Sequence, residues 1–189
     1  MNAATKRVAI MLGDGFEPVE AIAPIDALRR GGVEVTTVSV MGQRQVTAAQ
    51  GIAVEADALV DDVTFDDFDM IVVPGGSGGV QNLSQCQPLL AALKKFAAED
   101  RFIAAICAGP MILADLDLLE GRKATCYPGC QTNFPANVYQ DIRGAIRDGN
   151  LITASGPGQA LEFGIEILRA LKGDAVANEV AQGMLITRA

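Results

Sequence analysis

The chain has no histidine among its 189 residues. It therefore builds no Cys-His dyad, Ser-His-Asp triad or His-ligated metal site from its own residues, which removes the commonest ways of activating a nucleophile near neutral pH. Cysteine is sparse, with four in the whole sequence, too few for a disulfide framework and in keeping with a reducing cytoplasm. Basic residues are outnumbered, 15 Lys and Arg against 23 Asp and Glu for a net charge of -8, so no nucleic acid partner is expected. No apolar run is long enough to span a bilayer, so no membrane partner is expected either. The opening Met1-Asn2-Ala3-Ala4-Thr5-Lys6-Arg7 carries no secretory pattern and leads straight into a short strand. Repeats, linkers and low-complexity tracts are missing. What is there, half of it apolar and a fifth charged, reads as one compact domain over residues 1–189.

Short apolar runs alternate with helical patterns. Val8 to Leu12, Val33 to Val40, Met70 to Val73, Arg101 to Ala105 and Leu151 to Ala154 read as strands. Glu17 to Arg30, Gln87 to Glu99, Gly109 to Leu119, Ala160 to Leu171 and Ala175 to Gln182 read as helices. Gln43 to Ala56 reads as an excursion with a hairpin, and the acidic stretch Asp57 to Asp69 as a loop. Gly121 to Tyr127 and Ile142 to Arg147 read as further strands. Such alternation implies crossover units and a mostly parallel sheet covered on both faces. Sites in such sheets gather at the carboxyl ends of strands. Glycine-containing loops follow Leu12, Val73, Ala105 and Ala154, and all of them point to one crevice.

The stretch Ala105-Ile106-Cys107-Ala108-Gly109 sits where a strand must turn sharply into a helix. Its small residues suit a cysteine version of the nucleophile elbow. Amides at the start of the following helix predict a thiol of lowered pKa. The same residues also fit a small buried hydrophobe, as most free cysteines are. Glu17 and Glu20 lie early in the first helix and share one face. A carboxyl buried against a thiolate is expected to be protonated and to donate to the sulfur, although acidic residues are common in first turns anyway. Pro74-Gly75-Gly76 offers amides free of side chains, suited to an oxyanion or simply to a tight turn. Cys126-x-x-x-Cys130 has neither the spacing of a redox C-x-x-C nor enough ligands for zinc. These read as loop thiols near the pocket mouth.

Taken together, Glu17-x-x-Glu20, Pro24-x-Asp26-x-x-Arg29-Arg30-x-Gly32, Val73-Pro74-Gly75-Gly76, Ala104 to Pro110 and Ser155-Gly156-Pro157-Gly158-x-x-x-Glu162-Phe163 resemble the ThiJ/PfpI superfamily, and within it the branch containing Parkinson disease protein 7. The resemblance covers nearly the whole chain. It implies an α/β, flavodoxin-like (class I glutamine amidotransferase-like) three-layer sandwich, in the cytoplasm and usually a homodimer. It makes Cys107 the reactive cysteine, Glu20 the acid beside it, and Gly75, Gly76 and Ala108 the backbone donors. Glu17, Arg30, Cys126, Tyr127, Gly156 and Pro157 are then expected around the pocket. The activity implied is cofactor-free and metal-free turnover of a small aldehyde or dicarbonyl such as methylglyoxal (glyoxalase III or deglycase chemistry). The alternative it implies is a non-enzymatic redox sensor or chaperone-like protein in which Cys107 is oxidised to a sulfenate or sulfinate. Where several relatives place a histidine this chain has Cys126 or Tyr127, and a second pocket arginine expected near Gln50 is missing.

Overall fold

The continuous apolar runs become the middle of a single sheet. In the computed structural model, which describes residues 5–186, β1 (Arg7–Leu12) lies inside the sheet, with β2 (Glu34–Ser39) on one side and β6 (Met70–Val73) on the other. The opening residues Met1 to Ala4, read as leading straight into this strand, lie outside the described ones. Beyond β2 comes β5 (Ala58–Leu59). Beyond β6 come β7 (Phe102–Ile106), β9 (Leu151–Ala154) and β8 (Ala145–Asp148). Every neighbouring pair is parallel except β8 against β9. A two-stranded hairpin, β3 (Gln45–Thr47) and β4 (Ala53–Glu55), stands outside this sheet.

Alternate residues of the central strands feed two cores, as the two-residue strand period requires. Val8, Ile10, Leu12, Val72 and Ile106 face α1 (Pro18–Arg30), α5 (Ala160–Lys172) and α6 (Asp174–Gly183), whose buried residues include Leu28, Phe163 and Val180. Ala9, Met11, Ile71, Val73 and Ala105 face α3 (Gln87–Ala98) and α4 (Pro110–Asp115) through Leu93, Phe96 and Leu113. With both faces covered, the strands can be apolar throughout. This is the α/β three-layer, flavodoxin-like arrangement expected.

Four readings change. Ser77-Gly78-Gly79, read as part of a glycine loop, opens a further helix, α2 (Ser77–Leu83). The glycines serve a close approach: a Cβ on Gly79 would lie 2.7 Å from Phe16 Cα, and one on Gly15 2.8 Å from Gly78 Cα. The acidic stretch after Ala56 is not wholly loop, since it contains β5 and short 3-10 turns at Val60–Asp62 and Phe65–Asp67. Gly121 to Tyr127 does not form a strand. Only Ala124 bridges, to Tyr139, and the Thr125 amide donates to the Thr153 side-chain oxygen (2.9 Å) instead of to a ladder. The helix read as Gly109 to Leu119 stops at Asp115, with Asp117 at φ 60° just beyond it.

The sheet reverses its strand order at β1 and β6, and in open α/β sheets such a reversal leaves a crevice at the strands' carboxyl ends. The turns after β1, β6, β7 and β9 all open there.

Candidate active site

Cys107 directly follows β7 and has φ 62°, the left-handed region that a non-glycine residue enters only when its surroundings impose it. The surroundings do. The Cys107 amide donates to the Ala154 carbonyl (2.9 Å), and the Cys107 carbonyl accepts from the Tyr127 amide (2.9 Å). Gly109 admits the tight turn, since a Cβ there would lie 2.5 Å from the Val73 carbonyl oxygen. The strand-to-helix corner read from the small residues is therefore a strained elbow that presents a half-buried thiol.

Glu20 comes to this thiol from the first turn of α1 and is wholly buried. Its Oε2 accepts the Gly75 amide at 2.9 Å. Its Oε1 is buried without a regular hydrogen bond, and the Cys107 thiol lies within hydrogen-bonding range of the carboxyl. Burial pushes the Glu20 carboxyl up to about 7, against the pull of Cys107 and of the Gly75 amide. Oε2 accepts the Gly75 amide, which leaves Oε1 as the oxygen free to carry the carboxyl proton.

The lowered thiol pKa expected of a helix end is not found. Burial, then the adjacent Glu20 carboxyl, pushes the Cys107 thiol well above its ordinary value, although the Ala108 and Gly76 amides pull the other way. The Ala108 amide, ahead of a six-residue helix, and the Gly76 amide of a glycine turn do not offset desolvation beside an acid. The two groups therefore act as a pair, and the first proton leaves the pair rather than either residue.

The backbone donors divide their work. Gly76 and Ala108 address the sulfur, whereas Gly75, expected as an oxyanion donor, gives its amide to Glu20. Gly75 is wedged between the two reactive groups: a Cβ on it would lie 2.5 Å from Glu20 Oε2 and 2.6 Å from Cys107 Cβ. Gly76, at φ 87°, has no room for a side chain against the Gly15 carbonyl.

Around this centre, Glu17 is tied in by its amide to the Gly75 carbonyl (3.0 Å). Its Oε2 accepts from Gln50 Nε2 (3.1 Å). The sequence marks Gln50 only as the place of a missing arginine. It reaches Glu17 because the β3–β4 hairpin clamps onto the turn after β1, Gly15 amide to Thr47 carbonyl (2.7 Å) and Ala49 amide to Phe16 carbonyl (2.9 Å). No local sequence signal announces that contact. Tyr127 is half-exposed and packs over Gly156, whose absent Cβ would lie 3.2 Å from the ring. Pro157 starts a short 3-10 turn after Gly156, and Ser155 steadies this loop by accepting from the Gly144 amide (3.1 Å) and donating to Gln159 (3.0 Å).

Two expected pocket residues sit elsewhere. Arg30 is at the far end of α1, paired with Asp26 at 3.0 Å, roughly 18 Å along the helix axis from its start at 1.5 Å per residue. Within one chain it does not reach Cys107. Cys126 is wholly buried in its own loop beside Cys130 rather than open to the pocket. Among the described residues, no cluster of three or more His, Cys, Asp or Glu is placed to hold a metal, and no helix is long and apolar enough to cross a membrane.

Comparison with known proteins agrees with this geometry. The DJ-1/PfpI family model matches residues 6–170. Protein dj-1beta of Drosophila melanogaster is 34% identical, over 96% of this chain and 98% of that protein. Protein DJ-1 homolog B of Arabidopsis thaliana is 41% identical over 100% of this chain, but the chain spans only 43% of that relative. Among solved structures, oxidised Toxoplasma gondii DJ-1 superposes with a TM-score of 0.93 at 33% identity, covering 97% of this chain and all of that one. A family match over residues 6–170 and a relative 34% identical over nearly the whole length of both chains put this chain in the DJ-1/PfpI family.

Proposed function

We propose that the protein is a cysteine-dependent stress-response protein that converts small reactive dicarbonyls such as methylglyoxal to hydroxy acids, without a cofactor. The observation that carries this reading is the Glu20–Cys107 pair: a strained half-buried thiol beside a buried carboxyl, pushed up to about 7, one of whose oxygens has no regular hydrogen-bond partner. A general acid–base group performs best with a pKa near the working pH, so Glu20 suits the task that histidine often performs.

The Cys107 sulfur adds to the aldehyde carbon as Glu20 carboxylate takes the thiol proton and passes it to the aldehyde oxygen, giving a hemithioacetal whose oxygen is held by the Gly76 and Ala108 amides. Glu20 carboxylate takes the proton from that carbon and returns it to the neighbouring carbon through an enediol. The product is a thioester. Water cleaves it, releasing the hydroxy acid and restoring the thiol. Tyr127 and Gly156 wall the pocket, and Glu17 with Gln50 closes its other side.

A second reading rests on the same donors. Peroxide oxidises Cys107 to a sulfenate or sulfinate, whose oxygens take hydrogen bonds from Gly76, Ala108 and protonated Glu20. It requires no base, so the missing histidine does not weigh on it. Both readings are of a homodimer, with an isologous contact as the default.

Consumption of methylglyoxal by the purified protein, with Cys107→Ala in parallel, tests the first reading. Cysteine-dependent formation of lactate is expected. Equal turnover by the two proteins refutes it, and selective gain of oxygen at Cys107 under mild peroxide then supports the second.

A further inference from the structure

Three of the four cysteines lie on the elbow and on the loop beside it, and the chemistry above uses one. The other two, Cys126 and Cys130, occupy the run Thr125-Cys126-Tyr127-Pro128-Gly129-Cys130. Both neighbours of Cys126 are pinned: the Thr125 amide to Thr153 Oγ1 (2.9 Å), and the Tyr127 amide to the Cys107 carbonyl (2.9 Å). The Cys130 amide then donates to the Tyr127 carbonyl (2.9 Å). That bond closes a turn with proline second and Gly129 third at φ 94°, the pattern of a type II turn. It folds Cys130 back on the segment that holds Cys126. Cys126 is wholly buried and Cys130 half-buried, so one thiol meets solvent and its neighbour waits behind it. Burial pushes the Cys126 thiol up to about 12, with the nearby Cys130 as the second cause, and burial pushes Cys130 up as well. Among the described residues no third ligand joins them, so the pair is not a metal site.

We propose that Cys126 and Cys130 are a second, reversible redox centre, a dithiol that closes to an intraloop disulfide by exchange with a small-molecule disulfide such as oxidised glutathione. The Cys130 thiolate attacks one sulfur of the glutathione disulfide, whose S–S bond breaks and releases one glutathione thiolate. The departing glutathione thiolate takes the proton of Cys126, which attacks the Cys130 sulfur of the mixed disulfide and expels the second glutathione. Two protein thiols are oxidised and one glutathione disulfide is reduced to two thiols. Nothing in the loop stabilises either thiolate, so the reduced form has no advantage of the kind that makes strongly oxidising dithiols, and the disulfide is favoured once formed. The centre lies next to the elbow through Tyr127 yet leaves Cys107 free.

The experiment uses the full-length protein carrying Cys107→Ala, so its result does not depend on the role given to Cys107. Trypsin cuts after Lys123 and Arg143 and releases residues 124–143 with both cysteines in one peptide. After native incubation with excess oxidised glutathione, alkylation and non-reducing digestion, that peptide is expected two hydrogens lighter and without alkyl groups. Excess reduced glutathione is expected to return it to the doubly alkylated form. In a Cys126→Ser variant the reaction is expected to halt at a glutathione adduct on Cys130. Full alkylation of both residues after oxidation overturns the proposal. So does a lasting glutathione adduct on Cys130 with Cys126 still alkylated, or a disulfide that links two chains instead of one loop.

Discussion

Replacing Glu20 by glutamine tests the central electrostatic claim without removing a hydrogen bond. The amide oxygen of the glutamine still accepts the Gly75 amide, and its NH2 takes the place of the protonated oxygen. In the wild type, burial raises the Glu20 pKa from 4.5 to about 7. An acid whose folded pKa lies above its unfolded one keeps its proton longer in the folded state. Stability is therefore full below pH 4.5 and falls as pH rises to about 7, because the unfolded chain ionises first. At about 1.4 kcal/mol per unit the loss comes to about 3 kcal/mol. The Glu20→Gln side chain cannot ionise and does not suffer it. Urea unfolding at a series of pH values should show the variant gaining on the wild type between pH 4.5 and about 7, with a constant difference on either side. Parallel curves, or a variant that loses ground as pH rises, refute the buried protonated acid.

Three further outcomes follow from the same geometry. Gly75→Ala places a methyl 2.5 Å from Glu20 Oε2 and 2.6 Å from Cys107 Cβ, and overpacking of this kind costs about 1–3 kcal/mol. Denaturant unfolding should show that loss, and turnover should fall with it because both reactive groups must move. Alkylation of Cys107 by iodoacetamide should step up as pH passes about 7, where the pair loses its first proton, and the step should vanish in Glu20→Gln. Tyr127→His adds an imidazole to the pocket wall over Gly156. Because general acid–base groups commonly contribute about 10²–10⁴-fold, methylglyoxal turnover should rise at least about tenfold, and an unchanged rate would mean that proton transfer is not limiting.

Much of the fold was legible because apolar runs and turn residues are local signals. Met70 to Val73 is apolar at every position, and only a strand buried on both faces uses such a run. The elbow was legible for a similar reason, since Ala105, Ala108 and Gly109 have little purpose around a cysteine except to admit a sharp corner. Other features were hidden because they depend on partners distant in sequence. Gly78 and Gly79 look like loop residues until Gly15 and Phe16 are pressed against them, and they turn out to begin a helix. Gln50 meets Glu17 only because a hairpin folds over the turn after β1.

Residue order was enough to set the central strands and to exclude any imidazole, and the family resemblance it carries implied that Cys107, Glu20, Gly75 and Gly76 share one crevice. How the protons and amides are shared there came from the folded arrangement. It turned the Gly75 amide to Glu20, left Gly76 and Ala108 for the sulfur, kept Arg30 at the far end of its helix, and raised the thiol that its helix end was expected to lower. Hydrogen-bond partners and desolvation depend on which groups converge from distant segments, whereas strands and corners depend on neighbours already adjacent in the chain.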